Sequence, residues 1–488
     1  PHRIRAVLDF RPVLYIIGIL LTTLAAAMCA PLVADVVVGH PDWQVFAASA
    51  ALTAFIGVTL LLTTMAPPSR LSVRQAFFLT TTSWLAMTFF AALPFAFANL
   101  ELDFTDAFFE AMSGLTTTGS TVITSLDTTP SGILLWRAIL QWLGGIGIIV
   151  MPIAILPMLK IGGNQLFQTE SSDSSEKVLP RVAQIASGVG FVYLALTVAC
   201  AALLWFSGLK GFDAIAHAMT TIATGGFSTR DGSIGALLNP GAEVIITCFM
   251  LLGALPFVLY LQALRGKPLL LWRDNQVRWF FFIVAFFVLS VTAAHHINND
   301  INIGRALREA AFNVTSIMTG TGYASANYAG WGSFATGVFF FIMFIGGCAG
   351  STTCSIKIFR YQILYQTAKV QMKHLIRPHG IFIGTFNGRP ITDEVENSVM
   401  SFFFLFMLTF AVLAGLLHFI GLDFLTAVSG AASAICNVGP ALGDIIGPTG
   451  NFSALPDSAK WVLAAGMLLG RLELFTVLVL FAPWFWRG

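Results

Sequence analysis

The sequence predicts an all-α integral membrane protein: ten transmembrane helices plus four re-entrant half-helices, in a fourfold pseudo-symmetric series. Three observations carry that prediction. Of the 488 residues, 56 % are hydrophobic and only 10 % are charged, a balance that excludes a water-soluble globule of this length. Apolar runs of two lengths alternate in a fixed order, some of about 20 residues or more, enough to cross a bilayer, and others of roughly 10–14, which re-enter or stay buried. Each short run ends at a glycine. Gly119, Gly225, Gly322 and Gly439 recur at intervals of 106, 97 and 117 residues, so one unit is copied four times.

The run at 13–38 is too long for the apolar core of a signal sequence and lacks a convincing cleavage site, so it reads as a span, paired with 45–65. Further full-length runs follow near 75–100, 133–159, 183–206, 241–264, 279–296, 335–359, 398–420 and 459–486. The short runs 104–116, 212–223, 306–319 and 424–436 fall inside the later pairs. The unit is therefore full helix, half-helix, glycine loop, full helix. Residues 1–70 form an N-terminal helix pair outside the repeat, and the four repeats occupy 71–160, 161–267, 268–375 and 376–488. One unit cannot enclose a path through a bilayer, but four around an axis can, each giving one loop to a central ring.

Lys and Arg placement sets the orientation. With a cytoplasmic N-terminus, ten spans put both termini inside and 19 of the 26 basic residues on the inner face, among them Arg3, Arg5, Arg11, Arg70, Arg74, Lys160, Arg181, Arg265, Lys267, Arg273 and Arg278. The outer face keeps 15 of the 24 acidic residues, including Asp35, Asp103, Asp106, Glu110, Asp127, Asp213 and Asp231. Such a vestibule raises the local cation concentration.

The loops are built from carbonyls, hydroxyls and glycine: Leu115-Thr-Thr-Thr-Gly119-Ser120, Ala223-Thr-Gly-Gly-Phe227, Thr319-Gly-Thr-Gly-Tyr323 and Cys436-Asn-Val-Gly-Pro440. Irregular backbone at membrane depth is tolerated where it lines a water-filled cavity or is buried in protein. Glycine lets carbonyls turn together toward an axis, and each half-helix aims the negative end of its dipole there, while Asp106, Glu110 and Asp213 suit the positive end and the outer water. Ringed carbonyls that replace a hydration shell are how a potassium filter works. A single Thr-Gly pair reads equally well as a helix C-cap; four in the same place do not.

Other motifs are weighed in the same way. Gly346-Gly-Cys-Ala-Gly-Ser-Thr-Thr-Cys-Ser355 interrupts the second long helix of repeat three, as a cavity-lining break or as a small-residue packing surface. Arg471 lies about ten residues into the last span, roughly 15 Å deep at the helical rise, where a charge faces a cavity or pairs with another repeat. Glu473 faces elsewhere on that helix and is the one clearly deep acid. The stretch from Lys357 to Arg389 reads as a basic loop, either topological or a docking face. His217, His295 and His296 read as packing residues, because ligand spacing is absent. The six cysteines, at 29, 200, 248, 348, 354 and 436, read as reduced packing residues. No nucleophile, base and orienting group stand together, so an enzyme is not expected; nor is a nucleic-acid partner, at a net charge of +2.

The fourfold plan, Leu115-Thr-Thr-Thr-Gly119, Thr221-Ile-Ala-Thr-Gly-Gly-Phe-Ser-Thr229, Gly346-Gly-Cys-Ala-Gly-Ser-Thr352 and Gly470-Arg-Leu-Glu-Leu-Phe475 resemble the Trk/Ktr/HKT superfamily of potassium transporters, specifically its TrkH-type membrane subunits. The likeness spans essentially the whole chain, N-terminal pair included. It implies potassium uptake through a selective, gated, channel-like pore in the bacterial inner membrane. The implied K⁺ filter comprises Thr117, Thr118, Gly119, Thr224, Gly225, Thr321, Gly322, Asn437, Val438 and Gly439. In that family a filter glycine in all four repeats goes with potassium, and serine in the first goes with sodium. The implied gate comprises Gly346, Gly347, Cys348, Ala349, Gly350, Ser351, Thr352 and Thr353, with Arg471 as a cation barrier. The family usually continues this loop with further glycines, where this chain has Thr353-Cys354-Ser355. K⁺ is the implied transported ion, with no organic cofactor. The implied partners are membrane lipid, a second copy in a homodimer and a cytosolic nucleotide-binding regulatory subunit of the TrkA type. A sodium- or proton-coupled symporter working by alternating access, with Glu473 on its path, and a non-conducting signalling scaffold are the competing readings.

Overall fold

The computed structural model describes residues 9–65, 71–155 and 178–487. Arg3, Arg5, Arg70 and Lys160 of the orientation argument lie outside them. The described chain is helical, apart from one two-stranded hairpin and loops. Seven helices are long and apolar enough to cross a membrane: α1 (Arg11–Val38), α2 (Trp43–Thr63), α3 (Val73–Phe97), α5 (Ser131–Ile155), α6 (Val178–Phe206), α11 (Asn275–Asn299) and α15 (Asp393–Phe419). Four short helices match the predicted half-helices closely: α4 (Phe104–Leu115), α7 (Gly211–Ile222), α12 (Ile303–Met318) and α16 (Phe424–Cys436).

The three remaining full-length runs are broken. α8 (Pro240–Gly253) and α9 (Phe257–Leu264) meet at 92° across Ala254-Leu255-Pro256, and α17 (Asp457–Arg471) meets the Phe475–Phe481 stretch, which opens with α18 (Phe475–Leu478), at 107°. Pro256 supplies one break, since proline pushes the residue before it out of helical dihedrals. At the other, Glu473 and Leu474 take left-handed dihedrals, φ 54° and 33°. The third run, expected at 335–359, is helical only as α13 (Ser333–Ile342), and an irregular segment follows to α14 (Ile358–Ile376). Among the described residues, seven helices are thus continuous and apolar enough to span, or nine spans counting each bent pair once.

The stretch 357–389 is not an open loop. It forms α14 and a hairpin of β1 (Thr385–Phe386) and β2 (Arg389–Pro390), closed by Asn387 and Gly388 at φ 48° and 78°, dihedrals that suit a tight two-residue turn. The Asn387 amide holds Asn275 N–H at 3.1 Å and donates to Asp274 at 3.1 Å, seating the turn on the start of α11. At the other end of the chain, buried Asp35 of α1 accepts the Gly132 N–H at 2.7 Å, which latches the N-terminal pair to the first turn of α5.

The short helices sit innermost. From Ala107 to Leu115 every residue of α4 is buried, and α16 is buried from Ser429 to Cys436, as expected of helices wrapped on all sides by others. Their entry ends are fixed by capping: Asp103, Asn302 and Asp423 each accept a first-turn N–H, which satisfies a donor the helix itself leaves open. All six cysteines are free; four are buried, while Cys29 and Cys248 are exposed.

Candidate functional site

All four half-helices end in the same hydrogen-bonded cap. Thr117, Thr224, Gly320 and Asn437 donate N–H to the carbonyls of Gly114, Thr221, Ile317 and Ala434, at 3.0–3.2 Å. The next residues, Thr118, Gly225, Thr321 and Val438, reach back to Ser113, Thr220, Ser316 and Ser433, at 2.8–3.0 Å. This double closure is the Schellman arrangement, which demands a left-handed residue at its first position. Thr117, Thr224, Gly320 and Asn437 supply it, with φ of 54°, 50°, 69° and 53°. Threonine resists that conformation, so two of the caps hold strained backbone.

Two residues on, Gly119, Gly226, Gly322 and Gly439 are left-handed as well, φ 78° to 105°. A Cβ at Gly119 would overlap the carbonyl of Gly225, one at Gly226 that of Thr321, one at Gly322 that of Val438, and one at Gly439 that of Thr118. The contacts run from the first loop to the second, third, fourth and back to the first, a closed ring. At each step the backbone of one loop leaves no room for a side chain on its neighbour.

The ring changes the register read from sequence. Gly226, not Gly225, stands in line with Gly119, Gly322 and Gly439, and Gly225 takes the place of Thr118, Thr321 and Val438. The Gly-Gly doublet hid this choice. The ten expected residues all fall in the four loops, at the caps or at the ring contacts; Gly226 and Gly320 share those loops and were not among them.

Each half-helix is also strutted to the strand leaving its loop. Glu110 accepts from Val122 N–H at 2.9 Å and from the Thr121 hydroxyl, His217 Nε2 meets Ser228 Oγ at 3.0 Å, Asn313 bonds Ser325 twice, and Ser429 Oγ bonds the Leu442 backbone twice. Glu110 does not face outer water. It is fully buried and pairs with Arg137 Nε at 2.7 Å. His217, read as a packing residue, is buried and fully engaged: Nδ1 lies 2.8 Å from the Asp213 carbonyl.

The acids that the sequence reading placed on the outer face are likewise committed. Asp106 pairs with Lys460 at 2.5 Å, Asp127 and Asp213 share Arg230 at 3.2 and 3.1 Å, and Asp231 accepts the Leu126 N–H. Several of these pairs join different repeats. Of the acids the sequence assigned to a vestibule, Asp106 and Asp127 pair with cations of another repeat and Asp231 accepts a backbone N–H from one, so these three tie repeats together.

Beneath the ring runs the segment 346–355. Its backbone is tied to its neighbours: Gly346 N–H donates to Ile356 O at 2.9 Å, Gly347 N–H to Thr353 Oγ1, Cys348 N–H to Ala254 O and Ala349 N–H to Gln276 Oε1, while Gly350 O accepts from Phe257 N–H. Ser351 Oγ reaches Cys348 O and Thr353 Oγ1. Thr352 donates its hydroxyl to Gly253 O at 3.0 Å and accepts from Thr224 Oγ1 at 3.2 Å, which links the segment to the second loop of the ring. Ser355 Oγ holds the carbonyls of Met343 and Cys436, and the Lys357 ammonium holds the Thr353 carbonyl.

Arg471, only 1 % exposed, crosses the same level. Its guanidinium donates to Gly144 O at 2.8 Å and to Thr352 O at 3.4 Å and touches Cys354 Sγ, so it spans from the 346–355 segment to the first repeat. It pairs with no acid among the described residues, and its Nε has no partner. Glu473, expected deep on a continuous helix, instead sits at the break, about 39 % exposed, paired with the buried Arg360 at 3.0 Å. Glu110 is the more buried acid of the two.

Known proteins share this plan. Residues 42–487 match the family model described as TrkH, cation transport protein. The chain is 45 % identical to the Trk system potassium uptake protein TrkI of Halomonas elongata, over 98 % of this chain and 97 % of that one. It is 36 % identical to the Trk system potassium uptake protein TrkH of Escherichia coli K12, over 98 % of this chain and all of the other. The crystal structure of the potassium transporter TrkH from Vibrio parahaemolyticus superposes with a TM-score of 0.91 at 35 % identity, covering 98 % of this chain and 100 % of that one.

Proposed function

The chain belongs to the TrkH family of cation transport proteins, and from that premise we propose that it takes up potassium as the ion-translocating subunit of a Trk-type system. The four loops are its selectivity filter. The observation that carries this reading is the closed ring of glycines, each pressed on a neighbouring carbonyl: such backbone suits a file of carbonyl oxygens that replace the ion's water. In the proposed architecture, α8 with α9, α17 with α18, and α13 with the segment after it complete ten spans, and the four half-helices make a fourfold pseudo-symmetric pore. Both termini face the cytoplasm of a bacterial inner membrane.

Residues 346–355 and Arg471 are the proposed gate. They lie under the ring, bridge all four repeats through Gly144, Ala254, Thr352 and Arg471, and place a cation with no carboxylate partner among the described residues where a permeating cation would pass, as expected of a buried charge on an ion path. The pairing of Glu473 with Arg360 supports a channel-like pore over coupled symport, for which a free carboxylate on the path would be wanted. A homodimer and a cytosolic nucleotide-binding subunit of the TrkA type complete the proposed assembly, with α14 and the hairpin as the docking face. The test is ion flux in proteoliposomes holding the full chain, under clamped potential. K⁺-favouring flux down the electrochemical gradient that loses selectivity in Gly119→Ser supports the reading; uptake that stalls without an imposed Na⁺ or H⁺ gradient replaces it with symport.

A further inference from the structure

The second loop of the ring differs from the other three in one respect. At its central position it carries Gly225, where the others carry Thr118, Thr321 and Val438, each with a buried side chain behind the ring. Thr118 bonds Thr116 and Asn437 there, and Thr321 bonds Thr319. Gly225 has nothing of its own to pack. Nor does its backbone call for glycine, because it is not among the left-handed positions.

The missing side chain is supplied from another repeat. A Cβ at Gly225 would overlap the amide of Gln141, on α5 of the first repeat. That amide donates to Gly225 O at 2.5 Å and accepts the Phe227 N–H at 3.0 Å, so it brackets Gly226 from both sides. One turn earlier on the same helix face, Arg137 donates to Ser228 O at 2.7 Å, lays its guanidinium 4.0 Å from the Phe227 ring centre and is itself held by Glu110. Gln141 is fully buried and Arg137 is 1 % exposed.

We propose that Gln141 is a positioning residue for ion selectivity: with Arg137 behind it, it stands in for the side chain that Gly225 lacks and fixes the carbonyl spacing of the second filter segment. This rests on the reading of the ring as the filter. A buried amide that satisfies two backbone groups restrains them more than apolar filler does, because each displacement strands a donor or acceptor away from water.

The test compares K⁺ and Na⁺ uptake by the full chain in proteoliposomes. Gln141→Ala lowers the K⁺:Na⁺ uptake ratio roughly fivefold, as expected for losing two buried hydrogen bonds. Adding Gly225→Thr in the same chain restores the ratio, since the loop then carries its own central side chain, as the first and third do. Gly225→Thr alone is impaired because Gln141 occupies the space. If Gln141→Ala does not yield a monodisperse protein, Gln141→Leu carries the test with the same expected fall. An unchanged ratio in the single variant, or a double variant no better than the single, overturns the proposal. Gly119→Ser runs alongside: a shift there with none at Gln141 overturns the positioning role and leaves the filter reading standing, and no shift in either brings down both.

Discussion

Above and below the ring, the four repeats obey different rules. Above, they are near copies: the same Schellman cap, the same left-handed glycine two residues on, and a strut from half-helix to outgoing strand in each. Below, they part. The second helix of the first repeat, α5, runs unbroken through Gly144, the second bends at Ala254, the third dissolves after Ile342, and the fourth turns at Leu472. A layer whose members must fit one another around a closed cycle tolerates little drift, because a change in one loop meets the backbone of the next. A layer of helix ends has no such cycle, and each break is free to serve a separate purpose.

Breaking the cycle is expected to have the largest effect. Gly322→Ala places a methyl group on the Val438 carbonyl, and K⁺ uptake falls to background in a flux assay while the protein still reaches the membrane. The next largest effect tests the belt behind the ring. Arg137→Ala leaves Glu110 as a buried charge without its partner, at a cost of about 3–5 kcal/mol, read as a lowered unfolding midpoint in detergent. Glu110→Gln in the same chain recovers part of the loss.

Below the ring, changes are expected to alter rates instead. Arg471→Gln removes the unpaired cation and raises K⁺ flux several-fold at equal expression; unchanged flux would end its role as a barrier. The smallest effect belongs to the caps. Asp423 accepts the Thr426 hydrogen bonds, side chain first and then backbone, and these hold its carboxyl below the usual carboxylate range. Its contribution is therefore present in full above the ordinary pKa of about 3.9 and fades as pH falls through the lower folded value. Asp423→Ala is expected to cost about 1 kcal/mol, with no change in that cost between roughly pH 5 and 8.

Run length and the recurring glycines made the half-helices legible almost to the residue, because a segment too short to span has few other fates. The breaks were less visible. Residues 241–264 and 459–486 are predominantly apolar, and hydropathy reports what surrounds a chain, not the direction it takes; Pro256 was the local signal within those two runs, as the small-residue stretch 346–355 was in the third. The register at Gly225-Gly226 was hidden because two adjacent glycines satisfy the same pattern, and what tells them apart lies elsewhere in the chain: Thr321, whose carbonyl abuts Gly226, and Gln141, whose amide fills the space at Gly225. The outer acids misled for a related reason. Asp106 lies in the first repeat and Lys460 in the fourth, and no spacing rule joins them.

The Lys357 ammonium, clasped on the Thr353 carbonyl, has a mechanical reading. Lys357 is the residue that caps α14, so a rod of 19 residues is attached to the segment under the ring with almost no slack chain between them. A flexible tether would absorb a small displacement; this joint transmits it. A shift of α14 along its axis is therefore expected to displace Thr353 and, through the Thr352–Thr224 hydrogen bond, to be felt at the second loop.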